Sequence, residues 1–142
     1  MRKRDTVKIT RWRSYTPTGS WIANTTYTGF WRRVGEDMEV KVELAITGAP
    51  TAANLTINLP VGYRIDAKKL PAAGTRNTFG TVAIDDNGAR AWIGIVSFND
   101  SDKVIIMHAD ISNGSVVSDT SPFVWAAGDS LGCFFNVPIE GW

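Results

Sequence analysis

This 142-residue chain contains one cysteine and one histidine, Cys133 and His108. A lone cysteine excludes an internal disulfide framework and a zinc site built from several thiolates. A lone histidine leaves little of the usual kit for metal or nucleophilic chemistry. Charged residues make up only 20% of the chain, below the usual quarter. Thr, Ser, Asn and Gly fill the shortfall, which suits strands and turns better than helices. No apolar run approaches the roughly 20 residues that span a bilayer, so no membrane partner is expected. Met1-Arg2-Lys3-Arg4-Asp5 leads into no apolar stretch, and it does not read as a secretory signal. No window of 11 or more residues carries a helical periodicity.

Alternation at period two is present instead. Met38, Val40, Val42, Leu44 and Ile46 share one face of a strand whose other face holds Glu39, Lys41 and Glu43. Leu55–Leu59 alternates likewise. Asp85-Asp86-Asn87-Gly88 separates the runs 81–84 and 89–98 and reads as a tight hairpin. Asn99–Asp102 turns the chain into 104–109, and 131–139 is the last strand, with Leu131, Cys133, Phe135, Val137 and Ile139 on one face. The spacing predicts an all-β, antiparallel β-sandwich of jelly-roll topology. Its body spans residues 15–142, preceded by an extended basic N-terminal arm over 1–14. Residues 14–33 hold too few aliphatics for a core strand, so their aromatics are expected at a subunit interface or capping an open end.

The net charge of +1 hides an asymmetry. Residues 1–33 carry eight basic side chains against Asp5 alone, +7. The rest carries seven basic and thirteen acidic residues, −6. Such polarity points to an oppositely charged partner for the basic end. The acidic body would repel a polyanion, so nucleic acid is not the expected partner.

Catalytic and metal motifs are weak. Asp85–Gly88 and Asn99–Asp102 lack the ligand spacing of a calcium loop, and hairpin turns favour these residues for backbone reasons. His108 sits in the apolar run 104–109 and is expected as a hydrogen-bonded core group. Cys133 is expected as a small buried hydrophobe. No pair among the 14 carboxylates is singled out for glycoside hydrolysis. No metal, no cofactor and no enzymatic activity are expected. Six tryptophans are many for this length. They suit sugar stacking or protein interfaces.

Three stretches carry a specific resemblance. Gly29-Phe30-Trp31-Arg32-Arg33-Val34-Gly35-Glu36-Asp37-Met38-Glu39-Val40 resembles the opening of small β domains in tailed-phage virion proteins. Residues 55–66, with Leu59-Pro60-Val61-Gly62 and Ile65-Asp66, resemble that family's next segment. Phe135-Asn136-Val137-Pro138-Ile139-Glu140-Gly141-Trp142 resembles its close. The three lie in the family's order and bracket 29–142. The resemblance implies a jelly roll akin to the complement and tumour-necrosis-factor trimers, used at tail-fibre tips, in baseplates and as capsid decoration. Fibre proteins carry this head after a long attachment region, whereas here it starts close to Met1.

The leading expectation is a non-enzymatic homotrimeric decoration (cement) protein on the outer capsid surface of the virion. It would grip the major capsid protein through Arg2, Lys3, Arg4, Lys8, Arg11, Trp12 and Arg13. Phe30, Trp31, Trp92, Phe98 and Phe134 would line the trimer interface. The alternatives are a tail-fibre or baseplate tip binding a host receptor or glycan, and a carbohydrate-binding module.

Overall fold

The computed structural model describes residues 7–108 and 115–142. Among the described residues nine strands form the fold: β1 (Arg13–Tyr15), β2 (Thr25–Val34), β3 (Asp37–Ile46), β4 (Thr56–Asn58), β5 (Thr78–Asp86), β6 (Arg90–Asp100), β7 (Lys103–His108), β8 (Ser115–Val116) and β9 (Ser130–Pro138). Two single 3-10 turns, Ala67–Lys69 and Gly74–Arg76, are the helical elements among the described residues. The chain is therefore all-β and antiparallel, as the alternation predicts. The hydrogen-bonded order is β1-β2-β3-β9-β5-β6-β7-β4, with β8 on β7.

Tight loops set the register. Val34 pairs with Asp37 across Gly35-Glu36. Gly35 takes φ +62°, the left-handed value required at the first position of such a two-residue loop. Asp86 pairs with Arg90, so the second hairpin turns over three residues. Asp100 pairs with Lys103 across Ser101-Asp102.

β3 is flanked on both sides, by β2 and β9. Its register aligns Val40 with Phe135 and Leu44 with Leu131, all turned inward. β5 continues the layer, bringing Val82 beside Cys133 and Ile84 beside Leu131. One core cluster gathers these with Ile57, Val96, Val104, Ile106, Trp21 and Trp125. The sheet rolls on itself around that core. The chain leaving β1 reaches β4, where Gly19 bridges Ile57, Ser20 N–H donates to Thr56 O at 3.1 Å and Asn58 N–H donates to Thr18 O at 2.8 Å.

Two expectations are corrected. Residues 14–33 supply the ten-residue strand β2, and Trp21 and Trp31 are core residues. The inward positions of β2 are Tyr27, Gly29 and Trp31, aromatic or glycine rather than aliphatic, and its threonines favour the extended backbone. Gly29 is required there, because a Cβ would lie 2.5 Å from Pro17 Cγ and 2.8 Å from Tyr15 Cε1. The arm boundary at 14 also moves. Thr10 N–H donates to Arg33 O (3.0 Å), Arg33 N–H to Thr10 Oγ1 (2.9 Å) and Gly35 N–H to Lys8 O (2.7 Å). Lys8–Tyr15 thus lies along β2 and belongs to the domain.

Phe135→Ala is expected to cost about 3–5 kcal/mol, the range for emptying a buried aromatic site. Gly94→Ala should also destabilise the fold, by about 1–3 kcal/mol or more from overpacking, because its Cβ would press on Met107 O and Val82 Cγ1. Urea unfolding followed by tryptophan fluorescence checks both.

Candidate functional site

The outward face of the β2-β3-β9-β5-β6 layer exposes three large apolar side chains, Phe30, Phe134 and Ile93. Across the strands, Phe30 aligns with Lys41, Phe134 and Thr81. The next row is Thr28, Glu43, Gly132, Ala83 and Ile93. Phe30 and Phe134 are each 43% exposed and Ile93 is 72% exposed. Gly132 contributes no side chain, and no atom would lie within 4 Å of a Cβ placed there. The result is a depression of about 790 Å³ over Gly132, walled by Phe30, Phe134 and Ile93 with Lys41 and Glu43 at its side.

Trp12 extends this face. Its ring lies under two cations, with Lys41 Nζ 4.1 Å and the Arg32 guanidinium 4.7 Å from the ring centre. Arg32 is fixed in turn by Glu39, at 3.2 Å. Cation–π contacts of this kind contribute about 0.5–1 kcal/mol each where solvent reaches them. Trp12 is therefore half-buried on its own sheet.

The expected binding residues separate in the fold. Arg2, Lys3 and Arg4 lie outside the described residues. Lys8, Arg11 and Arg13 are exposed along the stretch beside β2 that ends in β1, while Trp12 packs on the domain itself. Of the five residues expected at the trimer axis, Phe30 and Phe134 share the outward face. The other three are redirected into the chain's own packing. Trp31 is buried beside Tyr63 (5.0 Å) and Trp142 (6.3 Å). Trp92 meets His108 at 6.0 Å, and Phe98 meets Phe79 at 6.4 Å. Ile93 is a surface residue that sequence reasoning did not single out. Its signal was parity, since it alternates with Trp92 and Gly94 on a strand with apolar residues on both faces.

The remaining candidates are structural. His108 Nε2 lies 2.8 Å from Ser121 Oγ and is buried. Asp129 accepts from Asn87 N–H (2.9 Å) and Ala126 N–H (2.7 Å), tying the β5–β6 turn to the loop before β9. In the Asp85–Gly88 turn, Asp86 O accepts from Ala89 N–H (2.9 Å). In the Asn99–Asp102 turn, Asp100 Oδ1 accepts from Ser101 N–H (2.7 Å). Both contacts serve turn geometry. Among the described residues no group of three or more His, Cys, Asp and Glu side chains converges.

Neither a scan against protein-family models nor a search of curated proteins finds a match. Among solved structures, the fold is similar to the crystal structure of the Dettilon tailspike protein (gp208). The TM-score is 0.56 at 17% identity. The likeness covers 92% of this chain but 24% of that one. It is a likeness of fold.

Burial pushes the Cys133 thiol up to about 12, and it raises the Tyr27 hydroxyl to about 12 as well. Tyr15 moves in the same direction for the same reason. Each group holds its proton more tightly folded than unfolded. Its contribution to stability is thus complete below the unfolded value, 9.0 for the thiol and 10.0 for the tyrosines, and is lost as pH rises toward 12. Stability measured by urea titration should fall from about pH 9 upward. Cys133→Ala should lower stability at pH 7 yet give a shallower alkaline decline.

Proposed function

We propose that this chain is a non-enzymatic structural protein of a tailed-phage virion, carried at the tail as a trimeric jelly-roll head. The observation that carries the reading is the likeness to a tailspike protein over 92% of the chain. The three sequence stretches that resemble phage virion domains fall on the fold's framework. Residues 29–40 form the β2–β3 hairpin, 55–66 carry β4 and the bridge from Ile65 to Ile139, and 135–142 end β9. The chain spans about a quarter of the tailspike it matches, as one head within a larger assembly would.

A homotrimer suits the outward sheet face. Phe30, Phe134 and Ile93 expose aromatic and aliphatic surface around an open depression, which suits contact with a neighbouring subunit. A receptor or glycan on the host cell is the ligand class in this reading.

Attachment to the outer capsid surface as a decoration protein is the second reading. The exposure of Lys8, Arg11 and Arg13 along one edge favours it, since an acidic shell protein would attract that edge.

Light scattering should give a mass near 46 kDa, three times the 15.5 kDa chain. Phe134→Glu should shift it to the monomer while leaving the melting temperature close to that of the parent. A stable 15.5 kDa species at micromolar concentration would remove the trimer. Gold-labelled antibody on virions that contain the chain decides location: label on tails supports the first reading, label over heads the second, and no label on either rejects both.

A further inference from the structure

The extended stretch from Lys8 to Tyr15, which ends in β1 and carries the isolated bridge of Ile9 to Val34, is paired to the fold along one edge. β1 ends the hydrogen-bonded order of the sheet. Among the described residues, the backbone pairing of this stretch runs to β2 and to the turn at Gly35. Its other edge is, among the described residues, an open row of backbone donors and acceptors, the template on which a further strand adds.

That edge is one-signed. No acidic residue lies between Asp5 and Glu36 in the sequence. Lys8, Arg11 and Arg13 are exposed, and the ion pairs among the described residues involve Arg32, Arg64, Lys69 and Lys103 instead. Val7 and Ile9, each 62% exposed, add apolar contact along the same stretch.

The arginines beside it are pre-organised. Arg13 lies over the Trp31 ring at 5.2 Å and Arg33 over Trp142 at 4.7 Å. The two indoles stack at 6.3 Å with 27° between planes, and Tyr63 packs against both. A guanidinium held over a ring has fewer conformations open to it and still carries N–H groups that can donate. Those are the donors that meet a carboxylate in paired fashion. Little side-chain freedom is then lost on binding.

We propose that this edge is a docking edge for an extended acidic polypeptide segment, which adds to the sheet as a strand beside Lys8–Tyr15. Main-chain hydrogen bonds supply the pairing, and Lys8, Arg11 and Arg13 select carboxylate side chains. A second copy of the same edge is disfavoured, because like charges would stand opposite each other. The proposal rests on the sheet geometry and charge, and not on the virion reading.

Fluorescence polarisation with defined probes tests it on the whole chain. The first probe is an eight-residue peptide alternating Glu with Val and Thr. The second has the same sequence with alternate amides N-methylated, which blocks one pairing edge but keeps every charge. The third replaces Glu with Lys, and the fourth is an oligothymidylate of the same net charge. The proposal expects the first to bind, the second to bind at least about tenfold more weakly (a lost increment of hydrogen-bond size), and the third and fourth not to bind measurably. Lys8→Glu with Arg11→Glu should abolish binding of the first probe with an unchanged melting curve, since both side chains are exposed. Equal binding of the first two probes would overturn strand addition. Equal or tighter binding of the oligothymidylate would make the edge a polyanion site, and no binding of the first probe would remove it. The peptide comparison needs no variant, so it holds even where the double substitution disturbs folding.

Discussion

The whole arrangement depends on β3 being paired along both edges. A strand held between β2 and β9 cannot slip by one residue without turning Met38, Val40, Val42, Leu44 and Ile46 to solvent and Glu39, Lys41 and Glu43 into the core. That penalty fixes the register of its neighbours. It places Phe135 and Leu131 inward and, by the same parity, Phe134 and Gly132 outward. The depression on the outer face is a consequence of core register, because every second residue must point away from it.

The N-terminal strand depends on that frame in turn. β2 presents Arg32 and Arg33 in succession, and a strand sends successive side chains to opposite sides. Arg32 reaches Trp12, and Arg33 reaches Trp142. Two neighbouring arginines thereby hold the two ends of the described chain onto one sheet. The basic character of the first 33 residues has two uses, since some cations are spent on tryptophans inside the domain and others remain on an edge.

The legible parts of the fold were those where alternation was written in aliphatics. β3 and β9 announce themselves, as do the hairpin at Asn87-Gly88 and the turn at Ser101-Asp102. β2 was illegible as a core strand because Tyr27, Gly29 and Trp31 occupy its inward positions. An aromatic-rich segment reads equally as an interface. Lys8–Arg13 was illegible because its sequence is that of a solvated arm; hydrogen bonds to Arg33 and Gly35 and the burial of Trp12 under Lys41 are tertiary facts. The two-sided apolar run of β6 misled in the opposite sense. Trp92 and Phe98 turn toward their own core, and the Gly74–Arg76 turn packs on β6, where Ser97 is buried. The sequence grouped Phe30 and Phe134 with Trp31, Trp92 and Phe98, and only the register across five strands sets those two on one face and adds Ile93.

The central claim is that Lys8–Tyr15 is paired along β2 as part of the domain, with its outer edge open among the described residues. Amide hydrogen exchange on the isolated chain tests it most directly. The account predicts slow exchange at Thr10, whose N–H is bonded to Arg33 O, and at Gly35, bonded to Lys8 O, with rates well below those of an unstructured peptide. Exchange at both amides at the rate of a free chain, while β3 stays protected, would contradict it.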